Sequence, residues 1–237
     1  MQYIIVDDFL SQKELNEALN FCKTLKFFQA PHQVQRIMSI DADFMSSLNS
    51  KDERTRLGQA FKQHDQRNGL NKWTEINKSK LSKFLKANKE QANAQLYLYR
   101  LFDEYQKTIY DFLFQLLPKQ YNVPTTRMYM SLASAGYGYK YPPHIDLYVK
   151  ILSVVVYLND ENQGTILCDK DGNEIEEIEW KKNRAFIFLN NDANGYHKYI
   201  SNNKNENRYT LNFNIKTPPK RPLVDPLPVL NDIFINI

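Results

Sequence analysis

Several features that would assign this chain to a common class are scarce or missing. Only two cysteines occur, Cys22 and Cys168, and neither belongs to a Cys-x-x-Cys spacing, so a disulfide framework is excluded and buried free thiols are expected. No stretch is apolar for long enough to span a bilayer. The opening Met1-Gln-Tyr-Ile-Ile-Val-Asp-Asp8 lacks the basic start and apolar core of a signal peptide, so a cytoplasmic protein without membrane contact is expected. Neither charge sign dominates. The 31 Lys and Arg against 27 Asp and Glu leave +4, a weak pull on anionic partners, with local basic enrichment from Lys51 to Lys89. There is no internal repeat.

What is present suits a globular domain. Apolar residues make up 42% and charged residues 24% of 237 positions, enough to build a sizeable core, and one domain over 1–237 is the default at this length. Ser11 and Glu14 form a capping box for a helix beginning near Gln12, with Leu15, Ala18, Leu19, Cys22 and Leu25 along one face. From Phe28 to about Trp73 the pattern is irregular and polar, which reads as lids and short helices. Helical spacing returns between Lys78 and Leu117 and is strongest from Leu98 to Leu116, before Pro118 stops it.

The texture then changes to strands. Short β-like runs cover Arg127–Leu132, Lys150–Leu158, Thr165–Cys168, Glu174–Trp180, Ala185–Leu189 and Arg208–Ile215, and Asp171-Gly172 marks a hairpin turn. Helices first and strands afterwards indicate an α+β domain: helical support and lid over 1–120, a β core over 121–216, and an extended tail over 217–237 holding five of the ten prolines.

Chemistry concentrates in the strand-rich half. His144-Ile145-Asp146 sets an imidazole and a carboxylate two residues apart, which on a strand puts both on one face. His197 is the other histidine of that half. Two neutral imidazoles and a carboxylate bound facially leave open positions on iron(II), the arrangement of non-haem iron oxygenases. In the last strand Arg208, Thr210, Asn212 and Asn214 alternate with Tyr209, Leu211, Phe213 and Ile215. Its polar face either meets water or looks into a ligand cavity, where Arg208 can grip a carboxylate with a bidentate fork.

From about Arg127 to Ile215 the chain resembles the 2-oxoglutarate and iron(II)-dependent dioxygenases, nearest to their prolyl hydroxylase branch. The resemblance lies in Tyr141-Pro-Pro-His-Ile-Asp146, Val156-Tyr-Leu-Asn159, Gly164-Thr-Ile-Leu167, Ala185-Phe-Ile-Phe-Leu189, His197 and Arg208-Tyr-Thr-Leu-Asn-Phe213, in that order. The chain departs from the family at Gln163-Gly164, where two glycines are usual, and around Ala133 to Tyr141. The resemblance implies a double-stranded β-helix, or jelly-roll, core with N-terminal helices packed on one sheet. It also implies Fe(II) held by His144, Asp146 and His197, 2-oxoglutarate as cosubstrate held by Arg208 with Tyr157 and Thr210, and O2 as oxidant. The implied activity is hydroxylation with release of succinate and CO2.

The expected substrate is a small molecule or peptide, above all a peptidyl or free proline, with Tyr139 and Tyr141 as candidate contacts; packing is the blander account of those two rings. His32 and His64 read as surface residues, and Trp73 and Trp180 as core anchors. Two rivals stand beside this reading. One is a nucleic-acid oxidative demethylase using the basic 51–89 segment, against which the interspersed acids argue. The other is a metal-binding barrel or sensor that performs no oxidation, against which the retention of Arg208, Thr210 and Tyr157 argues.

Overall fold

The structure is a computed structural model that describes residues 2–24, 35–44, 89–116, 121–122, 126–146, 150–190, 195–216 and 235–236. Its first helix, α1 (Gln12–Thr24), starts at the capping box that the sequence marks. The Ser11 amide donates to Glu14 Oε2 at 3.0 Å and the Glu14 amide donates to Ser11 Oγ at 3.3 Å, so two orphan donors of the first turn are satisfied reciprocally. The same carboxylate accepts from Tyr105 Oη at 2.6 Å, and Tyr97 Oη donates to the Glu14 carbonyl at 2.9 Å; both tyrosines lie on α2 (Lys89–Leu116). One buried acid thus serves as a cap and as a joint between helices.

Twelve strands are described. They are β1 (Tyr3–Val6), β2 (Gln35–Phe44), β3 (Tyr121–Asn122), β4 (Thr126–Ala135), β5 (Lys140–His144), β6 (Lys150–Tyr157), β7 (Thr165–Cys168), β8 (Glu174–Ile178), β9 (Ala185–Leu189), β10 (His197–Ile200), β11 (Arg208–Lys216) and β12 (Ile235–Asn236). A six-stranded antiparallel sheet runs β1-β9-β6-β11-β4-β2, and a four-stranded one runs β5-β10-β7-β8. From β4 to β11 the chain crosses between the sheets repeatedly, so residues distant in sequence meet in the space between them.

Period-two alternation explains the large sheet. Met128, Met130 and Leu132, Val154 and Val156, Ala185 and Ile187, and Leu211, Phe213 and Ile215 belong to one buried cluster with Leu15 and Ala18 of α1 and Leu98, Phe102, Ile109 and Leu113 of α2. Phe213 meets the rings of Phe9 and Tyr105 at 6.0 and 6.1 Å. The alternate residues of β4, β6 and β11 face the small sheet. Among the described residues, no helix is long and apolar enough to cross a membrane.

Two expectations need correction. The irregular stretch from Phe28 contains β2, which pairs with β4 at the edge of the large sheet; Met38, Ile40, Ala42 and Phe44 alternate with polar residues, a strand pattern hidden by its polar flanks. His144 and Asp146 do not share a strand, because β5 ends at His144 and Asp146 lies two residues beyond it. Trp73, His32, His64, most of the basic 51–89 segment and nearly all of the proline-rich tail lie outside the described residues.

Gly164 marks a close approach of two backbone segments. A Cβ there would stand 1.7 Å from the Ile178 carbonyl oxygen and 3.1 Å from the Trp180 amide nitrogen, both backbone atoms that cannot rotate away. Gly164→Ala should therefore destabilise the protein by about 2–3 kcal/mol through backbone displacement. Urea unfolding checks this, and an unchanged midpoint would contradict the close approach.

Candidate active site

Between the sheets lies a cavity of about 150 Å³, walled by residues from both. The large sheet contributes Tyr129, Ser131 and Ala133 from β4, Ser153 and Val155 from β6, Phe188 from β9, and Arg208, Thr210, Asn212 and Asn214 from β11. The small sheet contributes Tyr141, His144, Thr165, His197 and Tyr199. The polar face of β11 thus looks into a ligand-sized space, with Arg208, Thr210 and Asn214 buried. This resolves the two readings that its alternation left open.

At the small-sheet side, three ligating groups converge. His144 and His197 are opposed across the β5/β10 pair, with ring centres 4.3 Å apart, and with Asp146 they bring ligand atoms within 4.8 Å of one another. Each imidazole is oriented by a backbone carbonyl: His144 Nδ1 lies 3.0 Å from the Pro142 oxygen, and His197 Nδ1 lies 2.9 Å from the Gly195 oxygen. A carbonyl only accepts, so each Nδ1 carries the proton and each Nε2 presents a lone pair, the tautomer a metal requires. Two neutral imidazoles and a carboxylate suit iron(II) in the facial set of non-haem oxygenases.

Electrostatics favour the same state. Burial holds His144 down to about pKa 4, with help from neighbouring His197, and burial also lowers His197 against the opposing pull of Asp146. Burial pushes the Asp146 carboxyl up, but the Lys150 ammonium and hydrogen bonds from Lys150 and Ser153 outweigh it and keep the group ionised. Asn190 Nδ2 donates to the Asp146 carbonyl at 2.9 Å and fixes its backbone.

A pH prediction follows for the metal-free protein. A histidine with a depressed folded pKa binds its proton first in the unfolded chain, so stability is fully present above about pH 6.5 and declines as pH falls toward 4. Thermal unfolding of wild type and His144→Gln across that window checks it. The variant should show the shallower decline, and identical slopes would contradict the assignment.

Arg208 is the other pole. Its guanidinium is fully buried, which lowers its pKa, and no acidic residue pairs with it among the described residues. Its Nε donates weakly to the Gln163 carbonyl at 3.5 Å. The guanidinium is boxed by aromatic faces, its carbon lying 4.0, 4.9 and 5.6 Å from the ring centres of Tyr199, Trp180 and Tyr157. A buried cation lacking an internal counter-ion is costly, and an anionic ligand relieves that cost.

The cavity wall takes in six of the singled-out residues, Tyr141, His144, Asp146, His197, Arg208 and Thr210. Tyr157 is not on it. Its hydroxyl donates to Thr165 Oγ1 at 2.8 Å and accepts from the Thr165 amide at 3.1 Å, while its ring stacks on Trp180. Tyr139 stands behind the wall, 6.1 Å from the rings of both Tyr141 and Tyr199. Sequence reading missed Thr165, Tyr199 and Lys150. Tyr199 lies two residues after His197 on one strand and so shares its face, a signal the spacing held.

Fold and site together place two imidazoles and one carboxylate in a cavity between two antiparallel sheets. The family model of the 2OG-Fe(II) oxygenase superfamily matches residues 129–216, the stretch from β4 to β11. No curated protein sequence matches. Similar solved structures include a Pseudomonas putida prolyl-4-hydroxylase, 14% identical with TM-score 0.44 over 91% of this chain and 92% of that one. A viral collagen prolyl hydroxylase from Paramecium bursaria Chlorella virus-1, solved with 2-oxoglutarate, is 15% identical with TM-score 0.38 over 92% and 97%. A Trichoplax adhaerens prolyl hydroxylase in complex with a hypoxia inducible factor peptide fragment is 13% identical with TM-score 0.41 over 90% and 83%.

Proposed function

We propose that this chain is a 2-oxoglutarate-dependent hydroxylase of a peptidyl or free amino acid, with proline the first candidate, acting through a single domain over 1–237. The two sheets from β4 to β11 read as a double-stranded β-helix supported from behind by α1 and α2. The observation that carries the proposal is the pairing of two features in one cavity: a neutral His/Asp/His trio and a buried arginine with no acidic partner among the described residues. A dicarboxylate keto acid has one end for each.

In this reading His144, Asp146 and His197 hold iron(II), and Arg208 with Thr210 holds the distal carboxylate of 2-oxoglutarate. Tyr157 acts at one remove, pinning Thr165 and flanking the guanidinium. Bound iron(II) with 2-oxoglutarate and O2 supplies an oxidation coupled to decarboxylation, which yields succinate, CO2 and hydroxylated product. The protein's own work is positional: the Pro142 and Gly195 carbonyls set the imidazole tautomers, Ser153 and Lys150 fix the carboxylate, and Phe188 and Val155 give the wall its apolar patches. Tyr141 and Tyr199, stacked at 5.3 Å, give the cavity an aromatic wall that suits a compact ring.

The experiment is succinate formation from 2-oxoglutarate across free amino acids, peptides and oligonucleotides, with product mass analysis. A proline-containing substrate gaining one oxygen is the expected result. Stimulation by oligonucleotides with loss of a base methyl group would replace the substrate and leave the site intact.

A further inference from the structure

Fixing the Asp146 carboxylate takes only part of what the Lys150 ammonium can offer. Its Nζ lies 2.6 Å from Asp146 Oδ1, its side chain is 19% exposed, and it shares the cavity wall with Arg208. The two cations stand toward opposite ends of the central β6/β11 pair. Arg208 opens β11, whereas Lys150 opens β6 opposite Lys216, the last residue of β11. Among the wall residues these are the two cations and Asp146 is the one acid, so these three side chains leave one net positive charge on the lining.

Loading does not remove that charge. Iron(II) adds two positive charges and 2-oxoglutarate adds two negative ones, so the filled site keeps the excess of the empty one. Arg208 is engaged by the cosubstrate in the reading above, and Asp146 is shared with the metal. An ammonium has three donors, of which Asp146 takes one and no other described side chain takes a second. Leaving a partly desolvated cation half satisfied is unfavourable, and an anion on the remaining ligand offsets it.

We propose that Lys150 is the substrate-reading cation of this cavity and that the substrate brings a free carboxylate to it, which selects a free amino acid over an internal peptide residue. The inference rests on the hydroxylase reading and narrows it. A peptide carbonyl offers Lys150 a neutral acceptor, whereas a carboxylate offers a charge-assisted bond and cancels the excess. The alternation of Ser131, Asn212 and Asn214 along β4 and β11 adds polar groups to the same wall.

The test is calorimetric binding of the free L-amino acids and of their carboxamides to protein preloaded with Mn(II) and 2-oxoglutarate. At least one amino acid should bind, and its carboxamide should bind about ten- to a hundredfold more weakly. Lys150→Met should abolish that gap and Lys150→Arg should keep it. Equal binding of acid and amide, no binding by any amino acid, or a gap that survives Lys150→Met would each overturn the proposal. Should Lys150→Met fail to load Mn(II), the acid and amide comparison in wild type decides alone. Failure of wild type to bind 2-oxoglutarate with Mn(II), measured before any amino acid is added, would instead sink the hydroxylase reading on which the proposal stands.

Discussion

Arg208→Met should weaken 2-oxoglutarate binding by about 30- to 5,000-fold, the range for truncating one member of a buried charge pair at 2–5 kcal/mol. The same substitution should not destabilise the ligand-free protein, and a small gain in urea midpoint is the expected sign. In the ligand-free chain the guanidinium is fully buried among Tyr199, Trp180 and Tyr157 with no acidic partner among the described residues, so its removal relieves a desolvation cost. Function and stability thus move in opposite directions at one residue, as a preorganised binding site requires. Unchanged cosubstrate affinity, or loss of stability with loss of affinity, would mark Arg208 as a structural residue.

His197→Ala should lower divalent metal affinity by more than about a hundredfold, beyond the 10- to 100-fold typical of groups that only orient a ligand. Wild type at a metal concentration about a thousand times its dissociation constant should gain about 4 kcal/mol of stability, and the variant should gain less than about 1.4 kcal/mol. Ser153→Ala gives the contrasting case. Ser153 donates its one hydroxyl proton to the Asp146 carboxylate and lies beside the Asn214 side-chain amide, so its loss should reduce affinity by the smaller factor. Equal effects of the two substitutions would mean that His197 acts as a support and does not ligate.

How far the sequence carried depended on whether a residue's neighbours were local. Thr165–Cys168 and Ala185–Leu189 coincide with β7 and β9, and the β6 and β11 expectations miss by one residue, because buried strands are continuous apolar or strictly alternating runs. The Ser11/Glu14 capping box is a three-residue device, and it is present as written. The extent of β5 was harder to see, since Pro142 and Pro143 lack the backbone donors of an ordinary strand. Both are tolerated because β5 is an edge strand of the small sheet, where a missing backbone donor costs little.

The site shows the same division. The wall positions of Arg208 and Thr210 follow from alternation along one strand, and the convergence of His144, Asp146 and His197 follows the ordered motifs around them. Lys150 and Thr165 gave no such signal, because their importance comes from what the opposite sheet or the loop after β5 brings near them. The Tyr157 hydroxyl looked free to meet a ligand, but its partner is Thr165, a contact fixed by the fold.

The central claim is that one cavity holds a metal through His144, Asp146 and His197 and an anionic cosubstrate through Arg208. Its most direct test is equilibrium binding of 2-oxoglutarate to the purified protein without O2, in the presence and absence of Fe(II). One equivalent bound only when Fe(II) is present, lost in both His197→Ala and Arg208→Met, is the predicted result; 2-oxoglutarate binding that ignores the metal, or no binding with it, would contradict the account.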